Sequence, residues 1–457
     1  MICRNPYSGE RIGEISSTPI KSVGSLEENA RVAMEKNRSL SLDERLCWMK
    51  RFRDLFQEKQ ELLAQIQSNE TGKPISQALG EVKATVERIQ YFIDNVPTLL
   101  EAREVRTSGN TKEVLSYDPL GVVAVISAWN YPYFVGINVL VPALLAGNAV
   151  LYKPSEYAAL VGEQIAQLMQ EAEVPDGLFT IFQGEGSLAE EILSQNIDGV
   201  FFTGSNETGM KIVESMAKRL IPLGLELGGK DPCYVSDSNT DVAKVAAAVA
   251  DGAFYNGGQS CCAVERVYVH EAVYDEFLQE FIKAVQGFKV GDPSEKDTYF
   301  GPLTRPLHTE ILKSQLNDAL SLGAKLALGG DLSQVPEGYF PPTVLTDVNH
   351  DMEVMKEETF GPLVGIQKVK SADEALVLMQ DTKFGLTASV FSDHEQQARD
   401  ILSCIEAGNV YWNCCDRVSP YLPWSGRQGS GLGSTLGHKG IMAMVQPKSW
   451  HFRSPCS

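Results

Sequence analysis

Apolar residues recur at every third or fourth position through much of the first hundred residues of the chain. This spacing predicts amphipathic helices over 42–70 and 74–101, with a break at Gly72-Lys73-Pro74. From about residue 121, short β-branched runs alternate with helical stretches. They predict strands over 121–127, 149–152, 178–182, 199–203 and 221–227, and helices over 133–146, 156–172, 186–194 and 205–219. Such alternation is typical of a mostly parallel sheet covered by helices.

A second series of the same kind occupies the other half of the chain, from about 232 to 448. Its strand-like runs are 264–269, 363–368, 387–391 and 408–412. A polar stretch at 102–119 interrupts the first series and is interpreted as an excursion from it. The chain of 457 residues is long enough for about three domains of ~150 residues, or for two large ones. The pattern therefore predicts an α/β protein with at least two sheets.

Composition and charge narrow the class of partner. Hydrophobic residues make up 43% and charged residues 22%, as in soluble globular proteins. The formal net charge of −19 argues against nucleic acid and anionic membranes, because phosphate binding needs a basic surface. The chain contains no run of eighteen apolar residues, and its first residues lack a signal-peptide pattern. We therefore expect a small-molecule partner, with no nucleic acid and no membrane.

The number and spacing of the cysteines and histidines indicate the cellular compartment and whether a metal site is expected. The nine cysteines are odd in number and scattered, which does not suggest a disulfide framework and favours a reducing cytoplasm. The six histidines never stand four positions apart, and no CxxC occurs. We therefore expect no metal site.

One short motif imitates a dinucleotide-binding fingerprint. The segment Gly184-Glu-Gly186-Ser-Leu-Ala189 matches GxGxxA after a strand-like run, but no convincing acidic residue follows about 20 positions later. We interpret it as an ordinary turn between a strand and a helix.

Five other islands have an unusual composition, and each has an ordinary interpretation when taken alone. A cysteine in a glycine-rich turn is more often inert than nucleophilic, and a glutamate beside Gly-Gly is usually solvated. The islands are Ser127–Pro132 (SAWNYP), Phe201–Ser205 (FFTGS), Leu225–Lys230 (LELGGK), Asn256–Ala263 (NGGQSCCA) and Lys356–Pro362 (KEETFGP).

Together these islands resemble the aldehyde dehydrogenase superfamily, in the order that the family shows. The family's NPxTGE, PWNxP, KPSE, FTGS, LELGGK, GQxC and EEIFGP correspond to Asn5–Glu10, Ala128–Pro132, Lys153–Glu156, Phe202–Ser205, Leu225–Lys230, Gly258–Cys261 and Glu357–Pro362. The resemblance covers essentially the whole chain. It implies NAD(P)-dependent oxidation of an aldehyde to a carboxylic acid in the hydrolytic branch.

The resemblance implies three catalytic residues. Cys261 would attack the aldehyde and form a thiohemiacetal and then a thioester. Asn130 would stabilise the oxyanion, and Glu226 would activate the hydrolytic water. Cys262 stands one place late in GQxC and is assigned to the pocket lining. Relatives that transfer the acyl group to coenzyme A usually lack the glutamate.

The resemblance also implies a nicotinamide cofactor, and NAD is favoured over NADP. A carboxylate at Glu156 can bond both hydroxyls of the adenosine ribose but should repel a 2′-phosphate. Ser205 and Gly204 lie where a helix N-terminus would meet the pyrophosphate. The implied cofactor contacts are Trp129, Lys153, Glu156, Gly204, Ser205, Gly209, Leu227, Glu358 and Phe360.

The substrate is the least determined part of the prediction. The implied lining residues are Tyr131, Val135, Asn138, Tyr255, Ser260 and Cys262, with the 414–424 loop. Relatives that oxidise succinic semialdehyde often carry an arginine where this chain has Tyr255. Arg417 could replace it, although a surface role is also open, and the lining suits an aliphatic or aromatic aldehyde equally well. A glutamate that many relatives carry near the C-terminus is replaced by Gln446.

The fold implied by the resemblance is two Rossmann-like α/β domains with a small β excursion for oligomerisation. The dinucleotide-binding domain would span 1–101 and 120–231, the catalytic domain 232–448, and the excursion 102–119 with 449–457. The short tail favours a homodimer over a tetramer. Two alternatives stay open, an acyl-transferring semialdehyde dehydrogenase and a catalytically silent member of the fold.

Overall fold

The computed structural model describes residues 1–455. The helices are α1 (Val23–Lys36), α2 (Leu42–Glu58), α3 (Gln60–Thr71), α4 (Ile75–Leu100), α5 (Pro132–Ala146), α6 (Ala159–Glu171), α7 (Gly186–Ser194), α8 (Asn206–Met216), α9 (Val242–Phe254), α10 (Tyr274–Gln286), α11 (His308–Ser321), α12 (Ala372–Gln380), α13 (Glu395–Ser403) and α14 (Gly437–Met442). The strands are β1 (Ile2–Arg4), β2 (Arg11–Glu14), β3 (Arg103–Ser108), β4 (Thr111–Pro119), β5 (Val122–Ile126), β6 (Ala149–Lys153), β7 (Phe179–Ile181), β8 (Gly199–Thr203), β9 (Leu223–Glu226), β10 (Asp231–Val235), β11 (Val264–His270), β12 (Lys325–Leu328), β13 (Thr343–Thr346), β14 (Leu363–Val369), β15 (Phe384–Gly385), β16 (Thr387–Phe391), β17 (Asn409–Trp412), β18 (Arg427–Gln428), β19 (Gly431–Leu432) and β20 (Val445–Arg453).

The first sheet has six strands in the order β19-β9-β8-β5-β6-β7, and all but the edge strand β19 run parallel. Its central strand β5 reads VVAVI and is buried at every position. A parallel strand covered on both faces loses all contact with water, so a continuous apolar run replaces strict alternation. The predicted strands of this region are therefore confirmed, with bounds that differ by at most two residues.

The second sheet has seven strands in the order β12-β13-β14-β11-β10-β16-β17, with only β12 antiparallel to its neighbour. Separate hydrophobic cores lie against the two sheets. The α/β fold with two parallel-strand sheets, expected from the sequence, is confirmed.

The polar stretch after α4 forms two strands of a separate three-stranded sheet. Strand β4 pairs with β3 on one side and with β20 on the other, and all pairs are antiparallel. The third strand begins at Val445, four residues earlier than the predicted start of the excursion at 449, because the ladder continues from Arg453 back to the pair Val445–Pro119. The last two residues of the predicted excursion, Cys456 and Ser457, lie outside the described residues.

The segment Trp424–Val445 departs from the predicted domain division. It follows the last strand of the second sheet in sequence, yet β19 pairs with β9 of the first sheet. Trp424, Leu436 and Ile441 are buried in the core of the first sheet. The apolar faces of this segment are thus covered by the first domain, although the prediction placed 232–448 in the second.

No helix within residues 1–455 is both long and apolar enough to cross a lipid bilayer.

Candidate active site

A cleft of about 870 Å³ opens at the carboxyl ends of β5, β6 and β8. In the first sheet the chain runs outward from β5 to β7 on one side and from β8 to β9 on the other. Ligands of open α/β sheets bind where the strand order reverses in this way. Five predicted cofactor residues line the cleft, namely Trp129, Lys153, Glu156, Gly204 and Ser205.

One end of the cleft is the N-terminus of α8. Ser205 is its N-cap, and its side-chain oxygen accepts a 3.3 Å hydrogen bond from the Thr208 amide. The other amides of the first turn lack partners within the helix and favour an anion. At Gly204 a β-carbon would collide with the Phe202 ring, so the glycine lets the backbone turn into this helix. The cleft therefore suits the diphosphate of a dinucleotide.

The other end of the cleft is formed by the KPSE segment. Lys153 is buried, and its Nζ lies 3.8 Å from a carboxylate oxygen of the partly exposed Glu156. Burial lowers the pKa of Lys153, and Glu156 partly offsets that shift. A cation and a carboxylate side by side can bond the hydroxyls of a ribose.

The cleft is lined by the Trp129 ring, which packs against Phe360. The Trp129 and Phe360 rings meet edge to face, with centroids 5.5 Å apart. Gly209 does not line the cleft but packs against Leu227. A β-carbon at Gly209 would lie only 2.6 Å from the Leu227 side chain, so a larger residue would not fit. The helix α8 can thus approach the segment that follows β9.

Glu358 contacts the two glycines of the LELGGK segment. Its carboxylate accepts a 3.0 Å hydrogen bond from the Gly229 amide. A β-carbon on Gly228 would collide with the same carboxylate, which explains the Gly-Gly pair of LELGGK. Burial and, to a smaller extent, the Glu265 charge raise the pKa of Glu358 to about 8.

The cysteine segment folds back as a tight loop after α9. Asn256 and Gly257 have left-handed backbone angles, with φ of 56° and 64°. The Cys261 carbonyl oxygen would lie 2.7 Å from a β-carbon on Gly229. The LELGGK and GQSC segments are therefore in direct backbone proximity, and Cys261 itself is partly exposed.

Asn130 joins the same group. Its side-chain Nδ2 donates a 3.2 Å hydrogen bond to the Gln259 carbonyl, two residues before Cys261. The Asn256 side chain donates in turn to the Asn130 carbonyl at 3.2 Å. The carboxamide is thus buried and fixed beside the cysteine loop.

Glu226 ends β9 as a buried carboxylate with one free oxygen. Its Oε1 accepts a 3.3 Å hydrogen bond from the Thr435 hydroxyl, whereas Oε2 has no partner among the described residues. Burial raises the pKa of Glu226 to about 8. A buried carboxyl group with a raised pKa and a free oxygen is suited to act as a general base.

The two adjacent cysteines have different environments in the structure. Cys262 is buried, and its Sγ donates a 2.9 Å hydrogen bond to Asp416. The pKa of Cys262 is raised by its hydrogen bond with Cys261, by burial and by the Asp416 charge. Cys262 is therefore held as a thiol, and the partly exposed Cys261 is the one accessible to a substrate.

Helix α5 presents a single face that is not fully buried. Tyr131, just before the helix, and Phe134, Val135 and Asn138 within it are half-buried, while every other residue of α5 is buried. Their spacing places them on one side of the helix. We call this group the open face of α5. Three of its four members were predicted to line the substrate site.

The remaining predicted substrate residues take different positions. A β-carbon on Gly80 of α4 would lie 3.7 Å from the Tyr255 hydroxyl, and the Ser260 hydroxyl lies 3.4 Å from Asp416. Arg417 has an exposed side chain. Gln446 is exposed on β20 opposite Asp118, in the three-stranded sheet rather than beside Glu226.

Of four charged residues beside this region, three were not predicted, and the fourth, Asp416, lies in the predicted 414–424 loop. Lys73 and Glu81 form a buried ion pair, and the Lys73 Nζ lies 3.8 Å above the Tyr131 ring. Arg88 and Asp416 complete the set. The only sequence signal for Arg88 was its place on the apolar side of α4, between Thr85 and Phe92. The GxGxxA segment is the predicted connection between a strand and a helix, and its Gly186 and Ala189 also line the cleft.

Comparison with known proteins finds similar proteins along the whole chain. The profile of the aldehyde dehydrogenase family matches residues 1–450. The chain belongs to this family. It is 32% identical to the chloroplastic betaine aldehyde dehydrogenase of Amaranthus hypochondriacus, an alignment that covers 96% of this chain and 89% of that protein. It is also 32% identical to the NADP⁺ succinate-semialdehyde dehydrogenase of Deinococcus radiodurans, covering 97% of this chain and 93% of that one.

A solved structure shows the same fold throughout. The crystal structure of an NAD-dependent aldehyde dehydrogenase from Sinorhizobium meliloti superposes with a TM-score of 0.95 at 33% identity, covering 100% of this chain and 92% of that one. The protein is thus an enzyme of a family that oxidises aldehydes with NAD(P). The named relatives include both NAD and NADP enzymes and differ in substrate.

Proposed function

We propose that the enzyme converts an aldehyde into a carboxylic acid through a thioester on Cys261. The observation that carries the proposal is the convergence of three segments. Asn130 is bonded to the cysteine loop, and the strand end that carries Glu226 continues into Gly229, which contacts Cys261. A nucleophile, an oxyanion donor and a base are thereby carried by three adjoining segments.

In the first step the Cys261 thiolate adds to the carbonyl carbon, and the π electrons move to oxygen. The Asn130 Nδ2 and the Cys261 amide would stabilise the resulting negative charge, an interaction worth about 10²–10³-fold per donor. Collapse of this thiohemiacetal releases the aldehyde hydrogen with its electron pair, for which bound NAD(P) supplies the acceptor. The carbon that remains on Cys261 is then an acyl group.

In the second step water attacks the thioester carbon while Glu226 takes a proton from it. The C–S bond breaks and the Cys261 thiolate is restored. The free Oε2 of Glu226 provides the site for that proton, and Thr435 holds the other oxygen. A pKa near operating pH is what a general base requires.

An aldehyde panel with NAD and NADP tests the proposal. Production of reduced cofactor, together with one equivalent of free acid, is the expected result. Coenzyme A added to the same assay should not change the rate, because water activated by Glu226 already accepts the acyl group. A rate that depends on coenzyme A would favour the acyl-transferring alternative.

The raised pKa of Glu226 predicts how turnover depends on pH. The base works only when ionised, and with a pKa of about 8 about a tenth of it is ionised at pH 7. Where deacylation limits turnover, kcat should therefore rise about tenfold from pH 7 to pH 9. The rate of the first turnover, measured by stopped flow, reports the ionisation of the nucleophile. Comparing its pH dependence with that of kcat therefore isolates the part of the rise that belongs to Glu226. A kcat that stays flat from pH 6 to 9 while deacylation is limiting would contradict the assignment.

We further propose that NAD is preferred to NADP, because Glu156 stands beside Lys153 in the cleft. Glu156→Gln removes the charge that would repel a 2′-phosphate, so kcat/KM for NADP should rise about tenfold relative to NAD. Glu190→Gln, which neutralises another acidic residue of the cleft, is the matched comparison and should change this ratio less. A wild-type enzyme that uses NADP as well as NAD would refute the preference.

The assembly and compartment are also proposals. The edge strand β3 is exposed along its whole length, and the three-stranded sheet carries exposed Trp450 and Phe452. These features support a homodimer built on that sheet, which light scattering would test. The cysteines of the described residues are free thiols, in keeping with a reducing cytoplasm.

A further inference from the structure

Arg88 is a buried cation that has unused donors. It lies on α4, is 4% exposed, and donates from Nη1 to the Asn138 Oδ1 at 2.8 Å and from Nη2 to the Val418 carbonyl at 3.4 Å. A guanidinium carries five N–H donors. The Nε proton and one proton on each Nη therefore lack an acceptor within the described part of the chain.

The guanidinium faces the open face of α5. Its Cζ lies 3.7 Å from the centroid of the Phe134 ring. Phe134 stacks on Tyr131, with centroids 6.0 Å apart and an interplanar angle of 11°. Tyr131 directly follows Asn130 in the chain. Tyr131, Phe134 and Arg88 therefore form consecutive layers that begin next to the oxyanion donor.

The charge of Arg88 is not neutralised by an ion pair. Within residues 1–455 no carboxylate oxygen lies within 4 Å of its guanidinium nitrogens. The nearby Glu81 is engaged by Lys73, and its attraction on Arg88 is a longer-range one. Burial lowers the pKa of Arg88 to about 10, so the side chain remains cationic at neutral pH.

Asp416, another acidic residue near Arg88, already has hydrogen-bond partners of its own. Asp416 accepts hydrogen bonds from Cys262 at 2.9 Å and from Ser260 at 3.4 Å. Burial raises the pKa of Asp416 to about 7, which reduces its negative charge near neutral pH. Uncompensated buried charges are costly, and a bound anion removes that cost.

We propose that Arg88 binds a carboxylate at the far end of the aldehyde substrate, so that the enzyme prefers aldehydes with an ω-carboxylate. A planar fork with free donors matches a carboxylate, and the Tyr131 and Phe134 rings would pack against the methylene chain between the two ends. The inference rests on the proposed function, since it assumes that the aldehyde end lies at Cys261. It also replaces Arg417 as the anion-binding residue, because Arg417 is exposed.

The test compares matched substrates in the full-length enzyme. Succinic and glutaric semialdehydes are paired with butanal and pentanal, and kcat/KM is measured with saturating NAD(P). The wild type should prefer the anionic member of each pair. Arg88→Leu should lower kcat/KM for the anionic substrates about ten- to hundredfold, mainly through KM, while neutral substrates change much less. Arg88→Lys should recover part of the loss.

Arg417→Leu is the matched control, because it removes an arginine from the neighbouring loop. It should leave the preference between anionic and neutral aldehydes in place. The inference is overturned if Arg417→Leu abolishes the preference, if Arg88→Leu lowers both substrate classes equally, or if the wild type shows no preference. If Arg88→Leu does not fold, the inference is tested by inhibition of the wild type and of Arg88→Lys. Glutarate is the inhibitor with two carboxylates, and pentanoate is the control in which one end is a neutral methyl group. Glutarate should bind the wild type more tightly than pentanoate, and Arg88→Lys should keep only part of that advantage; an equal advantage in both proteins, or none in the wild type, would overturn the inference.

The two proposals fail in different ways. An enzyme that oxidises neutral aldehydes well and ignores the carboxylate refutes the role of Arg88 alone. An enzyme that reduces no cofactor with any aldehyde refutes the proposed function, whatever Arg88 binds.

Discussion

Replacement of Cys261 by alanine is expected to lower kcat by at least about 10⁴-fold for every aldehyde that the enzyme oxidises. Without the sulfur no covalent adduct forms, and the aldehyde carbon cannot reach the tetrahedral state that expels its hydrogen. Reduced-cofactor absorbance under saturating substrate measures the loss. Cofactor binding, followed by quenching of tryptophan fluorescence, should persist because Cys261 does not line the cofactor cleft.

Cys262 provides the control for this variant. It has the same side chain one position later, but its Sγ is buried and bonded to Asp416. Cys262→Ala should reduce kcat by less than about tenfold, since only packing and weak hydrogen bonds of the thiol are lost. Alkylation by iodoacetamide, located by peptide mass, should fall on Cys261 first. The opposite ranking of the two alanine variants would transfer the nucleophile to Cys262.

Replacement of Glu226 by glutamine should separate the two halves of the reaction. The amide cannot accept a proton from water, so deacylation should slow by about 10²–10⁴-fold. The first turnover does not use this base, so a rapid burst of reduced cofactor, about one per active site, should remain. Stopped-flow absorbance followed by the steady-state rate measures both.

The stalled thioester offers a second readout for Glu226→Gln. Hydroxylamine attacks a thioester without a general base, so adding it should restore turnover and yield the hydroxamate. Thr435→Val removes only the 3.3 Å hydrogen bond to Oε1 and should slow deacylation far less. Loss of the burst itself in Glu226→Gln would show that Glu226 acts before the thioester forms.

The architecture was largely predictable because its signals are local. A continuous apolar run such as VVAVI at 122–126 indicates a strand covered on both faces, and the polar 102–119 stretch indicates a segment outside that core. The order of short motifs pointed to the family and to Cys261, Glu226 and Asn130. The structure brings those three segments together, and their catalytic roles stay predictions until the variants are measured.

Long-range contacts were outside the reach of such patterns. Trp424–Val445 follows the second sheet in sequence, and no local pattern predicts that its strand β19 pairs with β9 of the first sheet. That pairing depends on which hydrophobic core has apolar surface left to cover. Arg88 was one charge among many on α4. Its candidate role as an anion-binding residue depends on its contacts with Asn138 and Val418, which lie 50 and 330 positions away in the sequence.

The choice between adjacent cysteines shows the same division. Motif spacing assigns the nucleophile to position 261, and it does so with no knowledge of the fold. The contact with Asp416, 154 positions away, is what occupies the second thiol. Residue types and their spacing thus carry the reaction class, because chemistry needs particular groups in particular turns. Burial and charge balance around those groups arise only when distant segments pack, and they govern which atoms remain free to react or to bind.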